Sequence, residues 1–148
     1  MDRWSWTILI PGIPSMVPVA RLFVRAFLGS HPHAGDAELI ASEYVTNAIR
    51  HTASGEGGVV YVTVVAAAGG VRIEVTDHGS ASAPPSAAPD SGAGTWEDEN
   101  GRGLLIVDTL ATRWGHYGFG GGQVTAWAEV GDPGGMGPGE LGPGADMA

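Results

Sequence analysis

The chain has 148 residues and a formal net charge of −9, and all seven of its basic residues are arginine. This length accommodates one domain with a single core, and an excess of acid opposes nucleic-acid binding, whose affinity comes largely from neutralising phosphates. The lack of lysine excludes a Walker-type phosphate loop, and the lack of cysteine excludes disulfides, thiol nucleophiles and zinc ribbons. No apolar run approaches the roughly 18 residues of a membrane span, so we expect a cytoplasmic protein without membrane contact.

The first half of the chain predicts one strand followed by two helices. A β-prone run predicts a strand over residues 3–10, which a Pro-Gly pair ends. Apolar residues at helical spacing predict a helix from Ser15 that Gly29 closes. A second helix is predicted from Asp36, a good N-cap, to about His51.

The second half predicts a hairpin, a helix and a last strand. The β-branched runs over 59–66 and 71–76 predict an antiparallel hairpin. A third helix is predicted from Leu104 to about Arg113, and a last strand is predicted over 123–130.

Two segments have compositions that differ from the rest of the chain. Residues 80–100 are rich in Pro, Ala, Ser and Gly, and the stretch is either a mobile functional loop or a disordered insert. Residues 131–148 are rich in Gly and Pro and are expected to form a disordered tail after a domain over residues 1–130. These two segments hold most of the negative charge, so the rest of the chain is close to neutral.

The second predicted helix carries a row of polar side chains. Glu43, Asn47 and His51 follow one another at intervals of four residues, which places a carboxylate, an amide and an imidazole on one ridge. Taken alone, such a ridge is more often a solvated helix face than a site.

Two glycine-containing motifs follow further along the chain. Asp77 stands where a strand enters a loop, and Gly79 two residues later allows a ligand close to the backbone. Gly101, Arg102 and Gly103 open the third helix, whose free N–H groups and dipole favour an anion. Taken alone, a D-x-G motif after a strand is more often an ordinary turn, and a G-x-G motif is as often a plain glycine-rich helix entry as an anion site.

The three motifs occur in the order E-x-x-x-N, D-x-G and G-x-G. The segments SEYVTNAIRH (42–51), VTDHG (75–79) and ENGRGLLIVDTLATRWG (99–115) resemble the N, G1 and G2 boxes of the histidine-kinase-like ATPases. Within that superfamily the chain resembles the small stand-alone anti-sigma-factor serine/threonine kinases, over residues 3–130. The resemblance implies an α+β fold of the Bergerat type: a two-layer α/β sandwich with a mixed, mostly antiparallel sheet and three helices on one face.

The resemblance also implies a site for ATP and Mg²⁺. Asn47 is expected to coordinate Mg²⁺, because an amide oxygen suits a hard cation. Asp77 is expected to accept a hydrogen bond from the adenine amino group, and Thr125 to help hold adenine through water. The phosphates are expected to be held under a lid formed by 80–100, with close approach or main-chain contact at Gly79, Gly101, Arg102 and Gly103.

Glu43 decides whether the protein is an enzyme. In the kinase branch the matching glutamate is the general base toward a hydroxyl of a partner protein, whereas in hydrolytic members it activates water. The first hypothesis is an ATP·Mg-binding regulatory protein that binds a sigma factor or an anti-sigma antagonist and phosphorylates a serine on the antagonist. The alternatives are a non-catalytic ATP-dependent binding module, which Ser80-Ala81 in place of a second G1 glycine favours, and an interaction domain without nucleotide.

The resemblance further implies a possible homodimer. Relatives are often dimers through the sheet edge or the first strand, and the strand that carries Trp4 and Trp6 is the candidate contact in this sequence.

Overall fold

The computed structural model describes residues 3–51, 57–77, 104–118 and 123–134. Its strands are β1 (Trp4–Pro11), β2 (Val59–Ala67), β3 (Gly70–Asp77), β4 (Arg113–Gly118) and β5 (Val124–Gly131). Its helices are a 3₁₀ turn (Pro14–Met16), α1 (Val17–Leu28), α2 (Ala34–His51) and α3, which is helical over 104–110.

The five strands form one sheet in the order β1-β2-β3-β5-β4. Every neighbouring pair of these described strands is antiparallel, so the sheet that was expected to be mostly antiparallel is entirely so over this part of the chain. The predicted hairpin is confirmed as β2 and β3, which pair through Ala67 and Gly70 next to the turn. The predicted α+β class, with helices on one side of an antiparallel sheet, is also confirmed.

The three helices pack on one face of the sheet, which we call the inner face. Alternate strand residues such as Val71, Ile73 and Val75 join helix residues in one core, because successive side chains of a strand point to opposite faces. The other side is the outer face, where β3 carries Arg72 and Glu74. The principal buried helix residues of the core are Ala20, Val24, Leu28, Ala37, Ile40, Ala41, Tyr44, Val45, Ala48, Leu104 and Val107.

Helix α2 begins two residues before the predicted start. The carbonyl oxygens of His31 and His33 accept hydrogen bonds from the N–H groups of Ala34 and Ala37, so the preceding turn caps the helix. Asp36 is therefore not the N-cap. It lies in the first turn, where its negative charge favours the positive end of the helix dipole.

Helix α3 ends earlier than predicted, because the residues after it form a strand. The helical residues stop at 110, and the segment expected to end the helix pairs with β5 as β4. The Thr112 N–H group donates to the Glu129 carbonyl oxygen at 2.7 Å, and the Arg113 guanidinium contacts the Glu129 carboxylate at 2.6 Å. These contacts fix the register of a strand that the sequence analysis missed.

The residues after the predicted domain end are still attached to the sheet. Gly131 belongs to β5, and the Asp132 N–H group donates to the Gly69 carbonyl oxygen at 2.8 Å. Arg3 donates to the Gly134 carbonyl oxygen at 2.9 Å, so the ordered part extends beyond residue 130. The predicted lid and residues 135–148 of the predicted tail lie outside the described residues. Among the helices that the structure describes, none combines the length and apolar character needed to cross a membrane.

Candidate functional site

Helix α2 runs from the turn between β2 and β3 toward the opposite end of the sheet. Its beginning lies at the turn, because the His31 Nε2 atom is 2.7 Å from the Ala67 carbonyl oxygen. Ten residues after the helix begins, the Tyr44 hydroxyl donates to the Trp127 carbonyl oxygen at 2.9 Å, in the middle of β5. A helix rises about 1.5 Å per residue and a strand about 3.3 Å, so the last turn of α2 reaches the level of Asp77.

Glu43 and Asn47 lie on this last part of α2, one helical turn apart. Asn47 is buried, and its Nδ2 atom has no hydrogen-bond partner within the described ranges. Such a group costs about 1 to 3 kcal/mol, which makes it a candidate ligand-binding atom. The Glu43 side chain is half-buried. The ridge that alone resembles a solvated helix face therefore holds an amide that is buried in the protein.

Asp77 ends β3 on the same side of the sheet as α2. Ile73 and Val75 of the same strand both join the inner core, so strand alternation directs Asp77 to the inner face as well. Asp77 is 3% exposed. A buried carboxylate at the end of a strand can accept a hydrogen bond from an amino group of a ligand, which is the role that the resemblance implies.

Helix α3 packs on the inner face as well, where Leu104 and Val107 join the core. After the helix, Thr112 contacts β5 at both Glu129 and Gly131, close to the turn between β2 and β3. The end of α2 and the end of β3 thus lie at one end of the sheet, and α3 packs on the same face.

Thr125 is not brought to this site. Asp77 pairs with Val124, and Thr125 pairs with Thr76, so the side chains of Thr125 and Asp77 lie on opposite faces of the sheet. The Thr125 hydroxyl is 2.7 Å from the Thr76 hydroxyl and is buried. The predicted contact between Thr125 and adenine therefore requires a face of the sheet that this residue does not occupy.

Tyr44 has a positioning role that the sequence analysis did not assign. Its ring is part of the buried apolar side of α2, and its hydroxyl fixes the helix to the backbone of β5 between Glu43 and Asn47. Burial raises the pKa of Tyr44 far above its usual range, against a smaller opposing effect of the Arg72 charge. The hydroxyl therefore remains a donor at all physiological pH values. No local sequence signal indicates this hydrogen bond, because it depends on how α2 packs against β5.

The other predicted site residues cannot be placed. Gly79, Gly101, Arg102 and Gly103 lie outside the described residues, as does the lid segment. For His51 the structure describes only the backbone, at the end of α2.

The comparison with protein families agrees with this geometry. The family model described as a histidine kinase-like ATPase domain matches residues 11–127, which is well over half of the chain. The chain therefore belongs to the histidine kinase-like ATPase domain family. Membership implies ATP binding, and the matched range contains α2, β3 and α3. A comparison with curated proteins gives no match.

Proposed function

We propose that the protein is an ATP·Mg²⁺-binding regulator of the anti-sigma-factor serine/threonine kinase type. In this proposal it binds a protein partner, a sigma factor or an anti-sigma antagonist, and transfers the γ-phosphoryl group of ATP to a serine hydroxyl of the antagonist. The observation that carries the proposal is the pair formed by Glu43 and the buried Asn47, whose Nδ2 atom lacks a partner among the described residues, at the end of the sheet where α2 and β3 end.

Glu43 is suited to act as the general base. A carboxylate can accept the proton of an incoming serine hydroxyl. The hydroxyl oxygen forms the new bond to the γ-phosphorus, the bond to the β–γ bridging oxygen breaks, and ADP leaves. A half-buried position lets Glu43 reach a substrate while part of its hydration shell is removed.

Asn47 fits a cation that is held together with phosphates. An amide offers one acceptor oxygen and two N–H donors, so Asn47 can give its oxygen to Mg²⁺ and its Nδ2 donors to a phosphate oxygen. A bound Mg²⁺ supplies charge neutralisation to the phosphates. Asp77 completes the site by accepting a hydrogen bond from the adenine amino group.

The proposal is tested by ATP binding and phosphoryl transfer in parallel. The protein is titrated with ATP·Mg²⁺ by calorimetry, and γ-labelled ATP is used to follow transfer to candidate antagonist proteins. Asn47→Ala is expected to weaken ATP·Mg²⁺ binding at least about tenfold, since a buried contact to a charged ligand is lost. Glu43→Gln is expected to keep ATP binding and to slow transfer by about 100-fold or more.

Asp36→Asn is the matched control, because it removes a carboxylate from the opposite end of α2 and should change neither quantity. Absence of ATP binding at millimolar nucleotide would contradict the whole proposal. An unchanged rate of phosphoryl transfer in Glu43→Gln would show that Glu43 is not the general base.

A second candidate function is a non-catalytic module in which ATP controls partner binding. It is favoured by Ser80-Ala81, which stand where many relatives carry the second glycine of the G1 box. In this case the protein binds ATP·Mg²⁺ and releases or captures its partner with nucleotide, and no labelled phosphate reaches any antagonist. The same experiment therefore separates the two functions.

The partner surface in this proposal includes the free edge of β1, and a second copy of the chain is one partner. Among the described strands, β1 pairs only with β2, so its other edge presents backbone groups that no described strand occupies. Trp4 and Trp6 are 67% and 60% exposed beside this edge, although the Trp6 ring packs edge-on against Phe23 and Phe27 of α1. Exposed aromatic residues next to an open strand edge are typical of a protein interface.

A further inference from the structure

The outer face of the sheet carries charged side chains that are almost completely buried. Arg72 is 0%, Glu74 is 1% and Glu129 is 3% exposed, and Trp127 beside them is 3% exposed. All three described helices pack on the inner face, so none of them covers these residues. Strand neighbours alone do not bury a tryptophan on an open sheet face, and the outer face therefore requires a cover.

Two hydrogen-bond donors on this face have no acceptor among the described residues. Arg72 contacts Glu74 and Glu129, each at 2.7 Å, and its guanidinium lies 4.5 Å from the centre of the Trp127 ring. The Arg72 Nη2 atom and the Trp127 Nε1 atom are buried without a partner in this part of the chain. Buried donors in native proteins are rarely left without an acceptor, so the missing cover should supply oxygen atoms.

The chain beyond β5 arrives at the edge of this face. After Gly131 the backbone crosses the turn between β2 and β3, where the Asp132 N–H group donates to the Gly69 carbonyl oxygen. Arg3 then donates to the Gly134 carbonyl oxygen at 2.9 Å. Ile8 and Ile10 of β1 face the inner side, so alternation places Arg3 on the outer side. The last described residue, Gly134, therefore lies on the outer side beside β1.

The remaining 14 residues are long enough to reach these two donors. Trp127 lies three strand spacings of about 4.8 Å from β1 and about four residues of 3.3 Å along β5, which is a diagonal of roughly 20 Å. An extended segment covers this in about six or seven residues and reaches about 45 Å in full. Residues 135–148 contain Met136, Leu141 and Met147, together with backbone and carboxylate oxygens.

We infer that the C-terminal segment 135–148 docks across the outer face of the sheet. Its apolar side chains lie against Val65 and Trp127, and its oxygen atoms accept from Arg72 and Trp127. The other internal segments outside the described residues fit less well, because 78–103 follows the end of β3 that is farthest from the β2–β3 turn and precedes α3 of the inner face. Segments 52–56 and 119–122 have only five and four residues. This inference does not depend on ATP binding.

Two neighbouring residues of β2 provide a test with an internal control. Val65 faces outward and is 1% exposed, and Val64 faces the inner core and is 0% exposed. Because the chain has no cysteine, Val65→Cys and Val64→Cys each create a single thiol whose labelling rate is measured in the full chain and in a chain that ends at Gly134. Truncation should speed labelling at position 65 by about 100-fold and leave position 64 protected.

Unchanged protection at position 65 after truncation would overturn the inference, since another part of the molecule would then cover the face. If truncation exposes both thiols through unfolding, a full-length variant decides. Met136→Ser, Leu141→Ser and Met147→Ser together should speed labelling at position 65 about tenfold or more and leave position 64 unchanged. Equal labelling rates at position 65 with and without these three changes would refute docking of the C-terminal segment. A labelling rate at position 65 that decreases as the protein concentration is raised would also refute it, because a second copy of the chain would then be the cover.

Discussion

Two arginine–glutamate contacts of equal length differ in burial, and this difference predicts unequal effects of mutation. Arg72 contacts Glu74 at 2.7 Å with both side chains buried. Arg25 contacts Glu38 at the same 2.7 Å on the surface of the helix layer, where the Arg25 side chain is 61% exposed. Methionine retains much of the apolar stem of arginine and removes its charge, so Arg72→Met and Arg25→Met are a matched pair.

The magnitude follows from what each substitution leaves behind. Arg72→Met leaves the Glu74 carboxylate buried without this guanidinium, and Glu129 keeps its contact with Arg113, so we expect a loss of about 3 to 5 kcal/mol in the free energy of unfolding. Arg25→Met leaves a carboxylate that water and Arg21 still reach, and exposed pairs contribute about 0.2 to 1 kcal/mol.

Urea denaturation followed by circular dichroism measures both changes. With a slope of about 2 kcal/mol per molar urea, Arg72→Met should lower the midpoint by about 2 M and Arg25→Met by less than about 0.5 M. Arg72→Met combined with Glu74→Leu should recover at least about 1 kcal/mol relative to the sum of the single changes, because the buried carboxylate that lost its guanidinium is removed. Equal midpoints for the two single variants would refute the reasoning that burial governs these contacts.

Two further predictions concern alkaline pH and association. Burial, with the Glu74 charge adding to it, raises the pKa of Tyr117 to about 12, and burial raises that of Tyr44 further. Above pH 10 the unfolded chain therefore loses these protons first. These two groups should leave the free energy of unfolding unchanged from neutral pH to just below pH 10 and should lower it above about pH 10, less steeply in Tyr44→Phe; a flat profile above pH 10 would contradict the assigned burial. Replacing both Trp4 and Trp6 by serine should abolish any dimer seen by analytical ultracentrifugation. The control Leu105→Ser changes an equally exposed residue on α3 and should leave the dimer intact. A dimer that survives the double tryptophan change must use another surface.

Much of the fold follows from local patterns in the sequence. The β-branched runs of β2 and β3 and the apolar spacing of α1 are signals that each element carries by itself. The family resemblance that the three motifs carry also implies that the end of α2 and the end of β3 share one ligand site, and the structure places both at one end of the sheet. These predictions needed no knowledge of long-range pairing.

The missed features depend on pairing between distant segments. β4 has the sequence RWGHYG, with two glycines and no β-branched residue, so its strand conformation comes from its neighbour β5 rather than from its own propensity. The position of Thr125 along the chain suggests that its side chain lies at the adenine site. Neighbouring residues of a strand point to opposite faces, however, so a difference of one residue decides which face Thr125 occupies. The register of Asp77 with Val124 decides this question, and register does not follow from either strand alone.

The outer face of the sheet contains a position, Arg72, whose contacts require arginine rather than lysine. The Arg72 guanidinium uses Nε for Glu74 and Nη1 for Glu129 while it lies over the Trp127 ring. Arg113 directs two further nitrogen atoms to Glu129. An ammonium group is a compact, strongly hydrated charge with all its donors on one nitrogen atom, so it lacks the separate nitrogen atoms and the planar face with which Arg72 meets two carboxylates and an aromatic ring. At position 72, therefore, lysine would keep the charge and still lose the planar contact geometry of the guanidinium.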